Sequence, residues 1–423
     1  MIPHFRYRKK EMYCESVKIS DIVLETGTPV YIYSKRTLLD AYSELDSAFA
    51  AIDHLVCYSM KANMNLNICN IFAKSGSGID VNSGGELFRA LTVGVDPKKI
   101  VFTGVGKTVE EIRYALGQDI LMLTAESHDE LRLMNAQAEE MGKKLPVSIR
   151  INPDVNPNTH PYISTGLSEN KFGIDSSLAF DAFNLARSLP NLEVVGLNMH
   201  IGSQITDVEP FVEAATKMAV LVLELKKAGF HIEHFDIGGG MAISYKLERP
   251  ALPRDIANAL IPILKVTGCR IIVEPGRYLV GNAGILVTKV LYTKEHRKKN
   301  FVIVDAGMND LIRPSLYDAY HKIKHVSLKR EETIIADIVG PVCESGDFFA
   351  RGREICKCKQ GDLLAIMSTG AYGFSMSSNY NARRRSPEVI VDGDKFYVTR
   401  ERETYEDMIT KERIVDELIA NVK

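Results

Sequence analysis

The sequence predicts an α/β fold: a (β/α)8 TIM-type barrel followed by a smaller, mainly antiparallel β-barrel or sandwich domain. Three observations carry this reading. Between about residues 30 and 280, eight short β-rich runs alternate with longer segments of helical pattern. The runs are almost continuously apolar, as strands covered by helices must be. Beyond residue 281 the alternation stops and hairpin patterns replace it. Eight β/α units over this length suit a closed barrel, with a doubly wound open sheet as the structural alternative.

The runs are HLVCYSM (54–60), GIDV (78–81), KIVFTG (99–104), DILMLTA (119–125), PVSIRIN (146–152), EVVGLNMH (193–200), HFDIGG (234–239) and RIIVEPG (270–276). Helical patterns separate them, most visibly over 127–144 and 206–229. In the latter, Val208, Phe211, Val212, Ala215, Met218, Ala219, Val222 and Leu225 make one apolar stripe at helical spacing. Thr206 and Glu209 suit a capping box, and Gly229 a C-terminal stop. After 281, AGILVTKVLYTKEHRKKNFVIVDAG reads as two strands around a charged turn. EVIVDGDKFYVT (388–399) reads as a hairpin turning at Asp392-Gly393, and EICKCKQGDLLAIM as strand, turn and strand. The first thirty residues read as polar strands. The expected division is therefore 1–30 with the β domain, 31–280 as the barrel and 281–423 as the C-terminal β domain.

Composition narrows the function classes. The 423 residues are 45% hydrophobic and 25% charged, ordinary globular values. Net charge is −2 and pI about 6.6, so no basic field invites nucleic acid or an anionic membrane. No run is long and apolar enough for a membrane span, and the N-terminus lacks a signal-peptide core. Seven cysteines, an odd number, do not suggest a disulfide framework. Cys356 and Cys358 form a CxC pair without a second pair or a neighbouring histidine. They read as opposite-facing residues of a strand, and no metal site is expected. A cytoplasmic enzyme is the expectation.

Unusual residues follow the predicted strands at their C-terminal ends, where such barrels bind substrates. Lys61 follows the first strand, and Asp80 with Ser83-Gly84-Gly85 the second. His200 follows the sixth, Gly238-Gly239-Gly240 the seventh, and Glu274-Pro275-Gly276-Arg277 closes the eighth. Taken singly, each has a plain structural explanation: a solvent-seeking lysine, a core histidine, a tight glycine turn, an ion pair of Glu274 with Arg277. Together they place an amine nucleophile, a glycine loop able to approach a phosphate and a lone carboxylate on one face. That combination describes a pyridoxal 5'-phosphate site. Lys61 would hold the aldehyde covalently, the glycines the phosphate, and Glu274 the pyridine nitrogen, with His200 on the ring face.

The motifs YSMKAN, DVNSGGEL, NPNTHPYISTGLSENKFGI, HIGSQ, DIGGG, EPGR, GPVCESGD and GAYGFSMSSNYN occur in one order from about Thr28 to Val398. In this the chain resembles the fold-type III pyridoxal-phosphate-dependent decarboxylases, and within them those acting on meso-2,6-diaminopimelate. The resemblance implies Lys61 as covalent anchor and His200 as stacking residue. It implies Asp80, Ser203, Gly239, Gly240, Glu274, Gly276, Arg277 and Tyr372 as cofactor contacts. Arg277, Arg313, Tyr317 and Tyr372 would meet the substrate. Cys343 and Glu344 would cross from a second subunit, the thiol to protonate carbon and the glutamate to hold the distal ammonium. A homodimer with composite sites follows from the resemblance alone. Ser59-Met60 and Asn82 depart from commoner family residues without touching a chemical role.

Related decarboxylases take ornithine, arginine or carboxynorspermidine. The amine-only substrates lack a second carboxylate, and their enzymes place aspartate after the reactive cysteine; here Glu344 follows Cys343. A buried Arg313 would need an anion, which diaminopimelate offers. The implied reaction is decarboxylation at the D-centre to L-lysine. A relative of the same fold with another basic substrate and a non-catalytic partner-binding homologue remain the alternatives. Retention of Lys61, His200, Glu274 and Cys343 together speaks against the latter. The segment NPNTHPYISTGLSENKFG reads as a loop over the site.

Overall fold

The computed structural model describes residues 4–156, 171–296, 299–329 and 332–418. Most of the expected site-covering loop, 157–170, lies outside the described residues. Two compact units emerge: Met1–His4, Ser34–Gly284 and Ser368–Ser375 in one, Phe5–Tyr33, Ile285–Met367 and Met376–Lys423 in the other.

Among the described residues, eight parallel strands of the first unit form the wall: His54–Ser59, Gly78–Val81, Ile100–Phe102, Met122–Ala125, Leu145–Asn152, Leu192–Asn198, His234–Asp236 and Arg270–Val273. The two-residue strand Ile174–Asp175 pairs with the fifth from outside this run. Each of the eight pairs with the next in chain order, Leu123 opposite Val147 in the fourth and fifth. The eighth returns to the first, with Ile271, Ile272 and Val273 opposite His54, Leu55 and Val56. That return closes a barrel and excludes the open sheet. Leu55 and Cys57 of the first strand meet Val101, Met122, Val195 and Ile272 in one buried cluster. A small barrel is filled by such side chains rather than hollow.

Helices follow the strands with polar caps. Ser34, Asn65, Ser83, Thr108 and Ser127 each accept a backbone N–H in the first turn that follows. Such caps satisfy donors that the helix itself leaves open. Thr108 and Glu111 form a full capping box, and the second Glu111 oxygen accepts the Gly84 N–H at 2.7 Å. The box expected at Thr206 and Glu209 does not form. That helix is Glu209–Lys227, with Val208 at its cap and no side-chain bond there. Glu209 is its first residue rather than its third, and the Thr206 hydroxyl donates to Asp207 instead. Gly229 does end the helix, at φ +85°. No helix directly follows the glycine triplet, and the next one is Pro253–Lys265.

In the second unit, Gly284–His296 pairs antiparallel with Lys299–Val304 and with Leu363–Ile366. Thr333–Val339 runs parallel to Lys299–Val304 and antiparallel to Phe348–Cys356. Glu388–Asp392 and Lys395–Arg400 make the expected hairpin, with Gly393 at φ +65° in its turn. The N-terminal strands Phe5–Arg8, Glu11–Cys14 and Val17–Lys18 precede a helix, Ile19–Thr26, where the sequence reads strand throughout. Ile19 and Ile22, one turn apart, are buried with Met12, Val30, Val287 and Val389. Tertiary burial overrides the β-branched local preference there.

The CxC reading needs correcting. Residues two apart on a strand would share a face, and here the strand ends at Cys356, so Cys358 is not an opposite-facing strand residue. Cys358 Sγ lies 3.8 Å from His325 Nε2, with Asp362 beside both. The Lys329 ammonium bonds both Asp362 oxygens, while His325 Nδ1 is buried without a hydrogen-bond partner. Burial, aided by Asp362, pushes the Cys358 thiol up to about 12. Among the described residues no helix is long and apolar enough to cross a membrane.

The Thr108 cap yields a direct expectation. Thr108→Ala removes one side of the box and lowers unfolding stability by about 1 kcal/mol, read as a shifted urea midpoint with unchanged slope. An unchanged midpoint would remove the cap from the account.

Candidate active site

The first strand stops at Ser59, and Met60–Ala62 make one tight helical turn that lifts Lys61 from the strand end. The residues after the lysine fix its turn. Ala62 carbonyl accepts the Tyr372 N–H at 2.8 Å, and Asn63 Nδ2 donates to the Gly370 carbonyl at 3.0 Å. Lys61 Nζ lies 3.9 Å from Asp80 Oδ2. Asp80 is fully buried, and strand register sets it opposite Ser59. Its oxygens accept the Ser59 hydroxyl and the Thr103 hydroxyl, each at 2.7 Å.

The Lys61 side chain is 42% exposed although protein groups surround it, as befits an amine in an open-topped well. Burial alone would lower its pKa. Asp80, then Tyr372 and Glu274, outweigh that effect, and the amine is held above its ordinary range. Unliganded Lys61 is thus an ammonium waiting on carboxylates.

Glu274 ends the eighth strand at the same mouth. Its backbone N–H donates to Gly238 at 2.8 Å, while its Oε1 is buried without a hydrogen-bond partner. Burial first, then Asp236 and Asp80, raise its pKa far above the carboxylate range. Asp236, fully buried at the end of the seventh strand, is pushed up to about 6, chiefly by burial. Its Oδ1 accepts the Gly238 N–H at 2.8 Å. The two carboxyls stand at the ends of adjacent strands, and the Asp236 charge makes Glu274 harder to ionise.

His200 Nδ1 accepts the Gly239 N–H at 3.1 Å, so the ring proton sits on Nε2. Burial, with the Lys61 and Arg150 cations adding, holds its pKa well below the ordinary value. Gly239 itself has no room for a side chain: a Cβ would stand 2.1 Å from the Glu274 carbonyl oxygen. Gly240, at φ +107°, would place one 2.6 Å from the Gly202 carbonyl. Gly276 passes the lysine's turn closely, where a Cβ would come within 3.1 Å of Ala62 Cβ. The triplet therefore serves close packing of strand ends, with two of its amides spent on Asp236 and His200.

The buried Arg277 donates to Ser203 Oγ at 3.0 Å and to the Tyr245 hydroxyl at 2.7 Å. Its guanidinium lies 5.0 Å from the Tyr372 ring centre. Tyr372 has φ +57°, a left-handed conformation costly for tyrosine. Asp236, Tyr245 and the buried pair Arg150–Glu126, 3.0 Å apart, were not anticipated. Asp236 and Arg150 do lie at strand C-termini, which is the one signal that could have found them.

The remaining expected residues belong to the second unit. Arg313 is buried at the start of the short helix Arg313–Tyr317. Cys343 and Glu344 are exposed, on a loop whose Val342 N–H donates to Asp347 at 2.6 Å. The Cys343 N–H donates to Asn381 at 2.7 Å.

The barrel residues fit pyridoxal phosphate on their own geometry. Glu274, with its Oε1 unpartnered and its ionisation disfavoured by burial, suits a pyridine nitrogen, and Lys61 supplies a primary amine. For His200, ring 15N shifts are expected to report the neutral Nε2–H form throughout the pH range in which an ordinary histidine takes up its proton. Titration near the ordinary histidine value would contradict the assigned burial.

Residues 35–281 match the family model described as the pyridoxal binding domain of pyridoxal-dependent decarboxylases. The diaminopimelate decarboxylase of Haemophilus influenzae is 47% identical over 407 residues, covering 96% of this chain and 98% of that protein. That of Aquifex aeolicus is 46% identical over 405 residues, 96% of each. The crystal structure of diaminopimelate decarboxylase from M. jannaschii in complex with L-lysine has a TM-score of 0.94 at 40% identity, covering 99% of this chain and 100% of that one. The Helicobacter pylori enzyme with L-lysine has a TM-score of 0.90 at 43% identity, covering 92% and 98%. The chain belongs to the diaminopimelate decarboxylase family of pyridoxal-phosphate-dependent enzymes.

Proposed function

We propose that this chain removes CO2 from the D-centre of meso-2,6-diaminopimelate to yield L-lysine, the last step of lysine biosynthesis. The observation that carries this is the meeting of Lys61, Asp80 and the unpartnered Glu274 carboxyl at one barrel mouth. Bound pyridoxal phosphate supplies the sink for the electron pair that the departing CO2 leaves behind. Lys61 anchors that group, and Asp80 keeps the amine oriented. Glu274 would hold the ring nitrogen and keep it protonated. His200, neutral, would lie against the ring without adding a positive charge. Ser203, Gly240, Gly276, Arg277 and Tyr372 hold the phosphate, and Gly239 contributes by lacking a side chain.

Arg277, Arg313, Tyr317 and Tyr372 receive the substrate. The Arg313 charge selects the second carboxylate that diaminopimelate has and ornithine lacks. Cys343 returns a proton to the carbon that lost CO2, and Glu344 holds the distal ammonium. Both are exposed in the single chain, which supports their serving the site of a second subunit in a homodimer. All seven cysteines are free thiols, in keeping with a reducing cytoplasm.

Loaded with pyridoxal phosphate, the enzyme is expected to release CO2 from diaminopimelate and negligibly from ornithine or lysine. Lys61→Ala should lower kcat by at least about a thousandfold. Equal turnover of ornithine, or parental activity in Lys61→Ala, would overturn the reading.

The shared site makes a second expectation. Mixing inactive Lys61→Ala and Cys343→Ala chains under exchange should restore about a quarter of parental activity, since half the dimers then carry one intact site. No recovery after demonstrated exchange would place Cys343 in its own subunit's site.

A further inference from the structure

One of the groups that hold Arg313 is a neutral imidazole. Its guanidinium Nη1 lies 3.0 Å from His321 Nε2, with both residues buried. The other ring nitrogen, Nδ1, lies 2.8 Å from the Met367 carbonyl oxygen. A carbonyl only accepts, so Nδ1 carries the hydrogen. Nε2 then presents its lone pair to the guanidinium, which only donates. The His321 backbone is pinned as well, since its carbonyl accepts Arg353 Nη1 at 2.9 Å, and that guanidinium lies 4.1 Å from the Tyr320 ring centre. The imidazole is thus bonded at both ring nitrogens and at its main chain.

The choice of partner has a chemical consequence. A carboxylate at this position would orient the guanidinium but would also cancel its charge and compete with an incoming anion. A neutral imidazole takes one N–H, fixes the plane of the fork and leaves the positive charge intact. We propose that His321 is the positioning residue that holds Arg313 ready for the carboxylate at the far end of the substrate. This deepens the functional reading above and rests on its assignment of Arg313.

Two variants separate the two ring nitrogens. His321→Asn keeps an amide N–H for the Met367 carbonyl but is too short to reach Arg313. His321→Gln extends an acceptor oxygen toward Arg313. With pyridoxal-phosphate-loaded enzyme, calorimetry compares L-lysine, which retains the carboxylate, with cadaverine, which has none. Steady-state rates on diaminopimelate give KM and kcat separately.

His321→Asn is expected to weaken L-lysine binding and raise KM by about tenfold, the loss of one charge-assisted hydrogen bond. It should leave kcat and cadaverine binding within about twofold of the parent. His321→Gln should recover most of the loss. The double variant with Arg313→Ala should be no worse than Arg313→Ala alone, because both act through one contact.

Parental L-lysine binding in His321→Asn, or equal weakening of both ligands, overturns the proposal. So does additivity in the double variant. If Arg313→Ala itself leaves L-lysine binding and KM unchanged, the reading of Arg313 fails first. Should His321→Asn not fold, His321→Gln decides alone: it must bind L-lysine about tenfold more tightly than Arg313→Ala.

Discussion

The pairing of the eighth barrel strand with the first is the constraint on which the site depends. Ile271, Ile272 and Val273 lie beside His54, Leu55 and Val56. The next residues along each strand therefore emerge at the same mouth, and these include Glu274 and Lys61, distant in sequence. Register does the same on the other side, where Ser59 stands opposite Asp80 and hydrogen-bonds it. A slip of one residue in either pair would turn these side chains to the other face of the wall. Gly276 lets the two strand ends approach, since any side chain there would press on Ala62 and Ser59.

Closure also gathers charge that would not gather by itself. Asp80, Asp236 and Glu274 are buried within one region, and each raises the cost of ionising the next. The protein answers with the Lys61 ammonium and by favouring the neutral form of Glu274. Arg150 adds a further positive charge, itself paired with Glu126. Such a site is poised for a ligand bringing a basic ring nitrogen, which can take the Glu274 proton and turn an awkward neutral acid into a partnered carboxylate. His200 stays out of this exchange because Gly239 occupies its Nδ1.

Much of the fold was legible because its signals are local. The eight apolar runs each contain a strand, although strand ends move by a few residues, as at Lys99 and Gly104 around Ile100–Phe102. Lys61, Glu274 and the glycine triplet stood out because their residue types are unusual at strand ends. What escaped depended on distant contacts. Helix Ile19–Thr26 is stabilised by burial against residues such as Val287 and Val389. Cys358 meets His325 only through the sheet, so the CxC spacing misled. The motif order supplied residue roles that periodicity never could, while the Asp236 carboxyl and the His321 imidazole carry no distinctive pattern at all. Each is an ordinary residue made consequential by what the fold sets beside it.

The most direct test of the central claim is chemical mapping of the anchor. Borohydride reduction of the pyridoxal-phosphate-loaded protein fixes the cofactor to whichever amine holds it, and peptide mass spectrometry then locates the label. The barrel geometry predicts a single pyridoxyl label on the peptide containing Lys61. A label on another lysine, such as the buried Lys107 with its Glu130 partner, would contradict it.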